Sequence, residues 1–322
     1  MVIQWFPGHM SKALKMMENE MKVIDVVLYV LDSRAPYSCV NPSFLRVIEN
    51  KPIIYVLNKS DLSDEKLTME WAKYFERQDN CKSIMIDSTL SGSGKRISEA
   101  IRELLKDKIA KNTNRGIVMP LRAMVIGVPN SGKSTLINNL CGKGKTVTGN
   151  KPGVTRGKQW VKIDDNIELL DTPGTLWPSF DNIVVAKHLA YIGSISDNVL
   201  DLPDLAFEFI KDVQQLNYKF LEDRYGFVTS GLKTLEIFDK ICETRGFIIK
   251  GGEYDYLRGA KAILDDFRKA RIGHITLDNF ENVFEGEAHA EINKLLRIER
   301  EKSKKVDRTE RLKAYKRKHN KK

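Results

Sequence analysis

The sequence Gly127-Val128-Pro129-Asn130-Ser131-Gly132-Lys133-Ser134 follows the apolar run 123–126 and precedes the apolar-periodic stretch 135–140. Two glycines five positions apart, with Lys-Ser behind them, form a phosphate-binding loop when they lie between a strand and a helix. The glycines let backbone N–H groups and the helix N-terminus point at a polyphosphate. Lys133 would reach the β- and γ-phosphates, and the Ser134 hydroxyl would bind Mg²⁺. The other residues expected to contact the nucleotide are Asn130, Ser131, Gly132 and Thr135. A Gly-rich turn is the alternative, and the flanking strand and helix patterns favour the nucleotide site.

A second motif, Asn58-Lys59-Ser60-Asp61, comes directly after the apolar run 52–57. A carboxylate accepts both the N1–H and the N2–H₂ of guanine, a pair of donors that adenine lacks, so Asp61 would select guanine. Asn58 would tie this loop to the phosphate loop, and the Lys59 stem would lie along the face of the base. Alone, the tetrapeptide is typical of a turn. In a chain with a phosphate loop, it predicts binding of GTP rather than ATP.

A third loop, Asp87-Ser88-Thr89, closes the apolar run 83–86. We expect Asp87 and Ser88 to complete the base site, with the Ser88 backbone N–H facing the guanine oxygen. A turn that only ends a strand has a similar composition, so this assignment depends on the other two motifs.

A fourth element, Asp171-Thr172-Pro173-Gly174, resembles the switch loop of a nucleotide-hydrolysing enzyme. Asp171 would hold Mg²⁺ through water, and the Gly174 N–H would sense the γ-phosphate. Thr155, in a segment punctuated by Pro and Gly, is the candidate second Mg²⁺ ligand. The tetrapeptide alone is a common turn. Because it occurs in the same chain as the other motifs, it predicts a GTPase switch.

The alternation of apolar strand patterns with helical patterns predicts an α/β fold with a doubly wound, mostly parallel sheet. Strands are expected at 23–31, 52–57 and 83–86, and a hairpin at 159–163 and 167–170; helices are expected at 43–50, 64–77 and 97–111. An N-terminal helix over 9–22 is expected to begin at a Ser11 cap. We predict three parts: a nucleotide-binding domain at 1–178, a smaller all-α domain at 179–290 and a basic tail at 291–322.

The composition is that of a soluble globular protein, with 42% apolar and 30% charged residues. The four cysteines are scattered without a metal-ligand spacing, which is typical of reduced thiols. No stretch is long and apolar enough for a membrane span, and the first residues lack the apolar segment of a secretory signal. These features predict a cytoplasmic protein. The net charge of +10 is located in residues 293–322, because the rest of the chain is balanced.

The order of the motifs is unusual. In Ras-like GTPases the phosphate loop precedes both DxxG and NKxD, whereas here the NKSD motif at 58–61 precedes the phosphate loop at 127–134. A permuted chain can still place the same strands side by side. Over residues 1 to about 285, the chain resembles the circularly permuted GTPases of the YlqF/YawG family. The likeness rests on three stretches: Gln4-Trp5-Phe6-Pro7-Gly8-His9-Met10, the phosphate loop, and Asp171-Thr172-Pro173-Gly174-Thr175-Leu176-Trp177-Pro178.

The resemblance implies a circularly permuted P-loop GTPase that assists late maturation of the large ribosomal subunit. Its partners would be GTP or GDP, a precursor of the large subunit and ribosomal RNA, contacted by the helical C-terminal domain. We expect a monomer with no membrane or DNA partner. The last predicted helix carries a basic cluster: Arg258, Lys261, Arg268, Lys269 and Arg271.

The resemblance also assigns catalytic roles. Lys133 and Gly174 would act on the γ-phosphate, and His9 would be a catalytic residue contributed when the ribosome orders the N-terminal segment. The alternative for His9 is a helix-start histidine that hydrogen-bonds backbone. Thr175 occupies the position where Ras-like enzymes have a water-orienting Gln, so a slow intrinsic rate is expected. Asn130 matches a K⁺-holding residue of potassium-stimulated relatives, so K⁺ should stimulate hydrolysis more than Na⁺.

Two other functions remain open at this point. The first is a signalling switch that acts on protein partners, and the second is a nucleotide-dependent RNA-binding module with negligible turnover. The basic tail has its own alternatives, since it could be an RNA-contacting arm that orders on binding or a solubilising segment.

Overall fold

A computed structural model describes seven stretches of the chain: residues 8–48, 51–116, 119–141, 159–164, 166–177, 180 and 182–284. The predicted metal ligand Thr155 and the basic tail at 291–322 lie outside these residues. Within the described residues, no helix is both long enough and apolar enough to cross a membrane.

Six strands form one sheet: β1 (Val26–Asp32), β2 (Ile53–Asn58), β3 (Cys81–Ile86), β4 (Leu121–Ile126), β5 (Gln159–Asp164) and β6 (Ile167–Asp171). Their order is β3-β2-β1-β4-β6-β5. β5 pairs antiparallel with β6, and the other four pairings are parallel. The predicted mostly parallel sheet and the hairpin are therefore confirmed.

β1 is buried along its whole length because both faces of the sheet are covered. Its alternate residues enter two different cores: Val27, Tyr29 and Leu31 enter one, and Val26, Leu28 and Val30 enter the other. This arrangement explains why the sequence of β1 is apolar at consecutive positions rather than at every second one.

Helices cover both faces. On the α/β part of the chain they are α1 (Gly8–Glu20), α2 (Pro42–Val47), α3 (Glu65–Glu76), α4 (Ser93–Leu104), α5 (Lys106–Asn114) and α6 (Lys133–Cys141). The described helices after the sheet include α7 (Ile183–Tyr191), α8 (Leu202–Asn217), α9 (Lys219–Tyr225), α10 (Thr234–Thr244) and α11 (Tyr256–Arg268). The buried residues of α7, α8, α10 and α11 continue the core that contains Tyr29.

Three predicted boundaries are wrong. Ser11 lies inside α1, which begins at Gly8 rather than at a serine cap. The strand expected from Val23 begins at Val26, because a short 3₁₀ turn occupies Met21–Val23. The single helix expected over 97–111 is two helices, since the chain at Leu105 leaves helical geometry before α5 begins.

The basic cluster on α11 is only partly a free cationic face. Arg268 turns inward and pairs with Asp197 at 2.8 Å. Two further members, Lys269 and Arg271, both pair with Asp265, at 2.8 and 3.3 Å. Much of the charge expected at this surface is therefore balanced by neighbouring carboxylates.

After α11 the chain returns to the sheet. The Leu277 N–H donates to the Arg34 carbonyl at 2.7 Å. The buried Asp278 carboxylate accepts from the Ser38 hydroxyl at 2.6 Å and contacts His188 Nδ1 at 2.6 Å. The Phe280 ring then stacks on the Trp71 ring of α3, with centroids 4.2 Å apart. The helical segment is thus fixed to the loops that follow β1 and β2.

Candidate nucleotide site

The site lies where the strand order reverses. From β1 the chain adds β2 and β3 on one side, and later adds β4 on the other side. In open α/β sheets, ligands bind at the carboxyl ends of the strands at such a point. The register aligns Asp32 with Asn58 across β1 and β2, and Tyr29 with Ile126 across β1 and β4. The loop after β2 and the phosphate loop after β4 therefore emerge at the same edge.

The Asn58 side chain joins three loops. Its amide nitrogen donates to the Ser131 carbonyl of the phosphate loop at 2.9 Å, and its amide oxygen accepts from the Ser88 N–H at 3.0 Å. Asn58 is fully buried, so both bonds are shielded from water. The structure thus brings the first three motifs together although they are far apart in sequence.

The position of the Ser88 N–H corrects one expectation. We predicted that this N–H faces the guanine oxygen, but it donates to Asn58 instead. The neighbouring Thr89 N–H is also engaged, since it donates to Asp87 Oδ1 at 2.8 Å. These bonds fix the loop that lies beside the base-reading segment.

Lys59 and Asp61 follow Asn58 in a tight turn. Lys59 adopts a left-handed backbone conformation with a φ of 59°. Its ammonium donates to the Asn130 carbonyl at 2.6 Å and to Asp32 Oδ2 at 2.8 Å. Asp61 lies in the next 3₁₀ turn with Asp87 near it; partial burial and the Asp87 charge raise the pKa of the Asp61 carboxyl. Asp61 thus lies just after β2, at the edge of the sheet from which the phosphate loop also emerges.

The phosphate loop is packed too tightly for side chains at its glycines. A Cβ on Gly127 would lie 2.3 Å from the Val30 carbonyl oxygen, and one on Gly132 would lie 2.1 Å from Asn58 Nδ2. Gly132 also has a φ of 94°, which L side chains rarely adopt. The glycine spacing is therefore required by β1 and Asn58 as well as by a phosphate ligand.

Lys133 begins α6 and points back into the loop. Its buried ammonium donates to the carbonyls of Gly127 and Val128 at 3.1 and 2.8 Å. Gly174 packs against it, because a Cβ there would lie 2.8 Å from Lys133 Nζ. The predicted switch glycine and the phosphate-loop lysine are neighbours in space.

Two oxygen ligands suited to Mg²⁺ stand at this edge. Ser134 lies in the first turn of α6, and Asp171 ends β6 in register with Val125, two residues before the phosphate loop. A hydroxyl, a carboxylate and phosphate oxygens form the donor set that Mg²⁺ uses in such sites. Among the described residues no cluster of three or more His, Cys, Asp or Glu could hold a metal. The Ser134 hydroxyl and the Asp171 carboxylate thus fit a Mg²⁺ ion that phosphate oxygens also bind.

The catalytic role expected of His9 stays a prediction, and so does the consequence of having Thr175 where Ras-like enzymes have Gln. His9 belongs to α1, and its side chain lies outside the described atoms. Thr175 is fully buried, and its carbonyl accepts from Asn41 Nδ2 at 3.3 Å.

Sequence reasoning missed three residues that contact the motifs, Asp32, Gly193 and Ser194, and a fourth, Arg34, that holds Asp32. Asp32 holds Lys59, and Arg34 holds Asp32 at 2.7 Å. On the other side of the phosphate loop, the Gly193 carbonyl accepts from Asn130 Nδ2 and the Ser194 hydroxyl donates to the Pro129 carbonyl, both at 2.8 Å. An acidic residue at the end of the central strand is the one available signal, and it identifies Asp32 only.

The fold and the site define the class. A phosphate loop, a guanine-type carboxylate motif and a switch glycine meet at one edge of a sheet whose strands are permuted in sequence. The chain is a circularly permuted P-loop GTPase, a class that uses GTP with a divalent metal such as Mg²⁺.

Comparisons with known proteins give the family. The chain is 38% identical over 296 residues to ribosome biogenesis GTPase A from Bacillus cereus, covering 92% of this chain and 99% of that protein. It is 39% identical over 281 residues to the protein of that name from Priestia megaterium, covering 87% and 97%. The chain belongs to the ribosome biogenesis GTPase A family.

Two further matches agree with the fold. A family model described as 50S ribosome-binding GTPase matches residues 122–227, so Asn58 and Asp61 lie outside it. A crystal structure titled GNP-bound YlqF from T. maritima matches with a TM-score of 0.55 at 24% identity, covering 83% of this chain and 98% of that chain.

The contact between Gly132 and Asn58 predicts the effect of a methyl group. Gly132→Ala should weaken GTP binding by more than about tenfold, because the new Cβ displaces the amide that joins the three loops. Fluorescence titration with a labelled guanine nucleotide measures the change. Gly116→Ala is the matched control: Gly116 also has a positive φ, of 66°, but no described atom lies within 4 Å of its added Cβ. That variant should lose about 1 kcal/mol of stability and bind GTP normally; equal affinities in both variants would contradict the prediction.

Burial of Lys133 predicts a pH dependence of binding. Desolvation lowers the pKa of the Lys133 amine to about 8, although the Asp171 carboxylate opposes the shift. Phosphates favour the charged amine, so binding takes up a proton above that pH and affinity should fall by up to about tenfold per pH unit. Calorimetry between about pH 7 and 9 measures it. The control is Lys133→Arg, because arginine stays charged over this pH range while the guanine base titrates as before. The GTP affinity of this variant should vary less with pH than that of the wild type. Identical pH profiles would show that Lys133 does not cause the pH dependence.

Proposed function

We propose that this GTPase is an assembly factor for the large ribosomal subunit. It binds GTP and Mg²⁺, associates with precursor particles through their ribosomal RNA, and hydrolyses GTP slowly until the particle stimulates it. It acts as a cytoplasmic monomer. The name of the B. cereus relative, ribosome biogenesis GTPase A, and the description of the matching family model, 50S ribosome-binding GTPase, support this role.

The Asn58 side chain is the observation that carries the nucleotide part of the proposal. One buried amide spans the phosphate loop and the base-side loop, with bonds of 2.9 and 3.0 Å. The Asn58 amide therefore fixes the distance between the phosphate loop and the base-side loop, the two parts of the site that one nucleotide would contact from Asp61 to Lys133. We assign guanine to Asp61 and the phosphates to Lys133. We assign Mg²⁺ to Ser134 and Thr155 as its direct protein ligands, and to Asp171 through water.

We assign the association with the particle to residues 179–290 and 291–322, and the nucleotide site to residues 1–178. The supporting observation is charge. The net charge of +10 is concentrated in the C-terminal tail, and a cationic segment favours RNA through release of counterions.

Sedimentation with ribosomal particles tests the proposal. Wild-type protein should co-sediment with large-subunit precursors when a non-hydrolysable GTP analogue is present, and much less with GDP. Asp61→Asn should lose this response to the GTP analogue and regain it with the xanthosine analogue. An asparagine amide donates to the xanthine C2 oxygen, whereas the aspartate needs the guanine amino group.

The base-swap variant is also the control for charge. Its basic residues are unchanged, so nonspecific RNA binding is the same as in the wild type. If the wild type and Asp61→Asn each co-sediment equally with every nucleotide, the proposal of a nucleotide-dependent switch is wrong. A hydrolysis rate that responds to purified proteins and not to ribosomal particles would instead favour a signalling role.

We also propose that K⁺ acts at Asn130. The nitrogen of its amide donates to Gly193, so the amide plane is fixed beside the phosphate loop. K⁺ at about 0.1 M should raise the hydrolysis rate several-fold over Na⁺ at equal ionic strength, because a bound cation offsets charge that develops on the phosphates. Phosphate release in the two salts measures it, with Asn130→Asp as a variant that keeps an oxygen ligand. Equal rates in both salts would remove the assignment.

Deletion of residues 293–322 tests the role assigned to the tail. The shortened protein should bind ribosomal particles more weakly, and its affinity should depend less on salt, since fewer phosphate contacts release fewer counterions. Its affinity for GTP should be unchanged. Binding measured between about 50 and 200 mM salt gives the slope, and an unaltered slope would mean that the tail is only solubilising.

A further inference from the structure

A buried ionic cluster lies directly behind the nucleotide loops, and none of the four motifs includes its central residue. The Asp32 carboxylate ends β1, the central strand, and is fully buried. Its Oδ1 accepts from Arg34 Nε at 2.9 Å, and its Oδ2 accepts from Arg34 Nη2 at 2.7 Å and from Lys59 Nζ at 2.8 Å. One carboxylate thus orients two cations.

Lys59 connects this cluster to the phosphate loop. The same ammonium that bonds Asp32 donates to the Asn130 carbonyl at 2.6 Å. A lysine side chain is flexible, and holding it in one conformation costs rotamer entropy unless a partner fixes it. Asp32 is that partner, and it lies at the end of a strand. The hydrogen bond from Lys59 to Asp32 therefore fixes the position of the Lys59 ammonium.

Arg34 connects the cluster to the helical segment. Its Nη1 donates to the Arg268 carbonyl at the end of α11 at 2.9 Å. The Arg268 guanidinium in turn donates to the carbonyls of Tyr191 and Ala190 at 2.9 and 3.0 Å, at the end of α7. The turn after α7 is therefore held by α11.

The turn after α7 contacts the phosphate loop through two hydrogen bonds. Gly193 accepts from the Asn130 side chain, and Ser194 donates to the Pro129 carbonyl, both at 2.8 Å. Asn130 is thus held from both sides: Lys59 bonds its carbonyl, and Gly193 bonds its amide. A continuous path of hydrogen bonds runs from the phosphate loop through Asp32 to α11 and back.

We propose that Asp32 is a positioning residue for GTP binding, which holds Lys59 against the phosphate loop from an anchor on α11. The inference rests on the GTP binding described under Proposed function. Asp32 touches no nucleotide in this scheme. It acts through Lys59 on the phosphate loop, and through Arg34 it makes the helical segment part of the same unit.

The electrostatics of the cluster agree with this role. Burial alone would raise the pKa of Asp32, but the charges of Arg34 and Lys59 outweigh burial and hold that pKa well below its ordinary value. The carboxylate therefore stays ionised over the whole working range of pH. Removing its charge leaves the buried Arg34 guanidinium facing the partly buried Lys59 ammonium, which is costly and displaces the more flexible lysine.

The test compares nucleotide affinities in a double-mutant cycle on the full chain. Asp32→Asn and Lys59→Met should each raise the dissociation constants for GTP and GDP by about tenfold or more, and the double variant should lose no more than Lys59→Met alone. The double variant has the same net charge in the cluster as the wild type. It therefore serves even where Asp32→Asn alone does not fold.

Asp25→Asn is the matched control. Asp25 directly precedes β1, at the end of the strand away from the site, and it too pairs with a lysine, Lys108, while accepting from the Arg122 N–H at 3.0 Å. It should bind nucleotide as the wild type does. A purely structural role for Asp32 would instead lower thermal stability and give additive losses in the cycle, which would overturn the proposal.

Hydrogen exchange tests the anchor on α11. Nucleotide should slow exchange of the amides at 192–194 in the wild type, and this protection should be lost in the double variant. Protection that persists there would overturn the connection to the helical segment. A wild-type protein that fails to bind GTP would instead overturn the proposed function itself, so the two failures are distinguishable.

Discussion

The amide of Asn58 is the interaction on which the site depends. It donates into the phosphate loop and accepts from the loop after β3, so it spans the point where the sheet reverses its order. A side chain can do this only when β2 lies one strand away from β4, with β1 between them. The parallel register of those three strands is therefore the constraint, and the permuted order of the motifs in sequence is irrelevant to it.

Much of the α/β part could be predicted from the sequence because its signals are local. Strands β2 and β3 are short apolar runs that end in polar loops, and parallel strands place those loops at one edge. The helix limits were less predictable. Nothing in the local pattern of 97–111 marks the break at Leu105, and α1 begins at Gly8, before the Ser11 cap that the sequence suggested.

The contacts behind the site could not be predicted, because they join residues far apart in sequence. Arg34 reaches the carbonyl of Arg268, and Asn130 reaches that of Gly193. Backbone carbonyls carry no sequence signal, so these partners appear only in three dimensions. The charge on α11 was misjudged for a similar reason: its basic residues were visible, but the position of Asp197 and Asp265 beside them was not.

The return of the chain after α11 determines where the described residues end. Asp278 and Phe280 fasten this segment to Ser38 and to the Trp71 ring, on the sheet side of the molecule. The last described residue, Phe284, therefore lies beside α3, with its ring centroid 6.2 Å from that of Tyr74. The thirty residues at 293–322 hold the whole positive excess of the chain. The stacked rings of Phe280 and Trp71 thus determine where the described part of the chain ends.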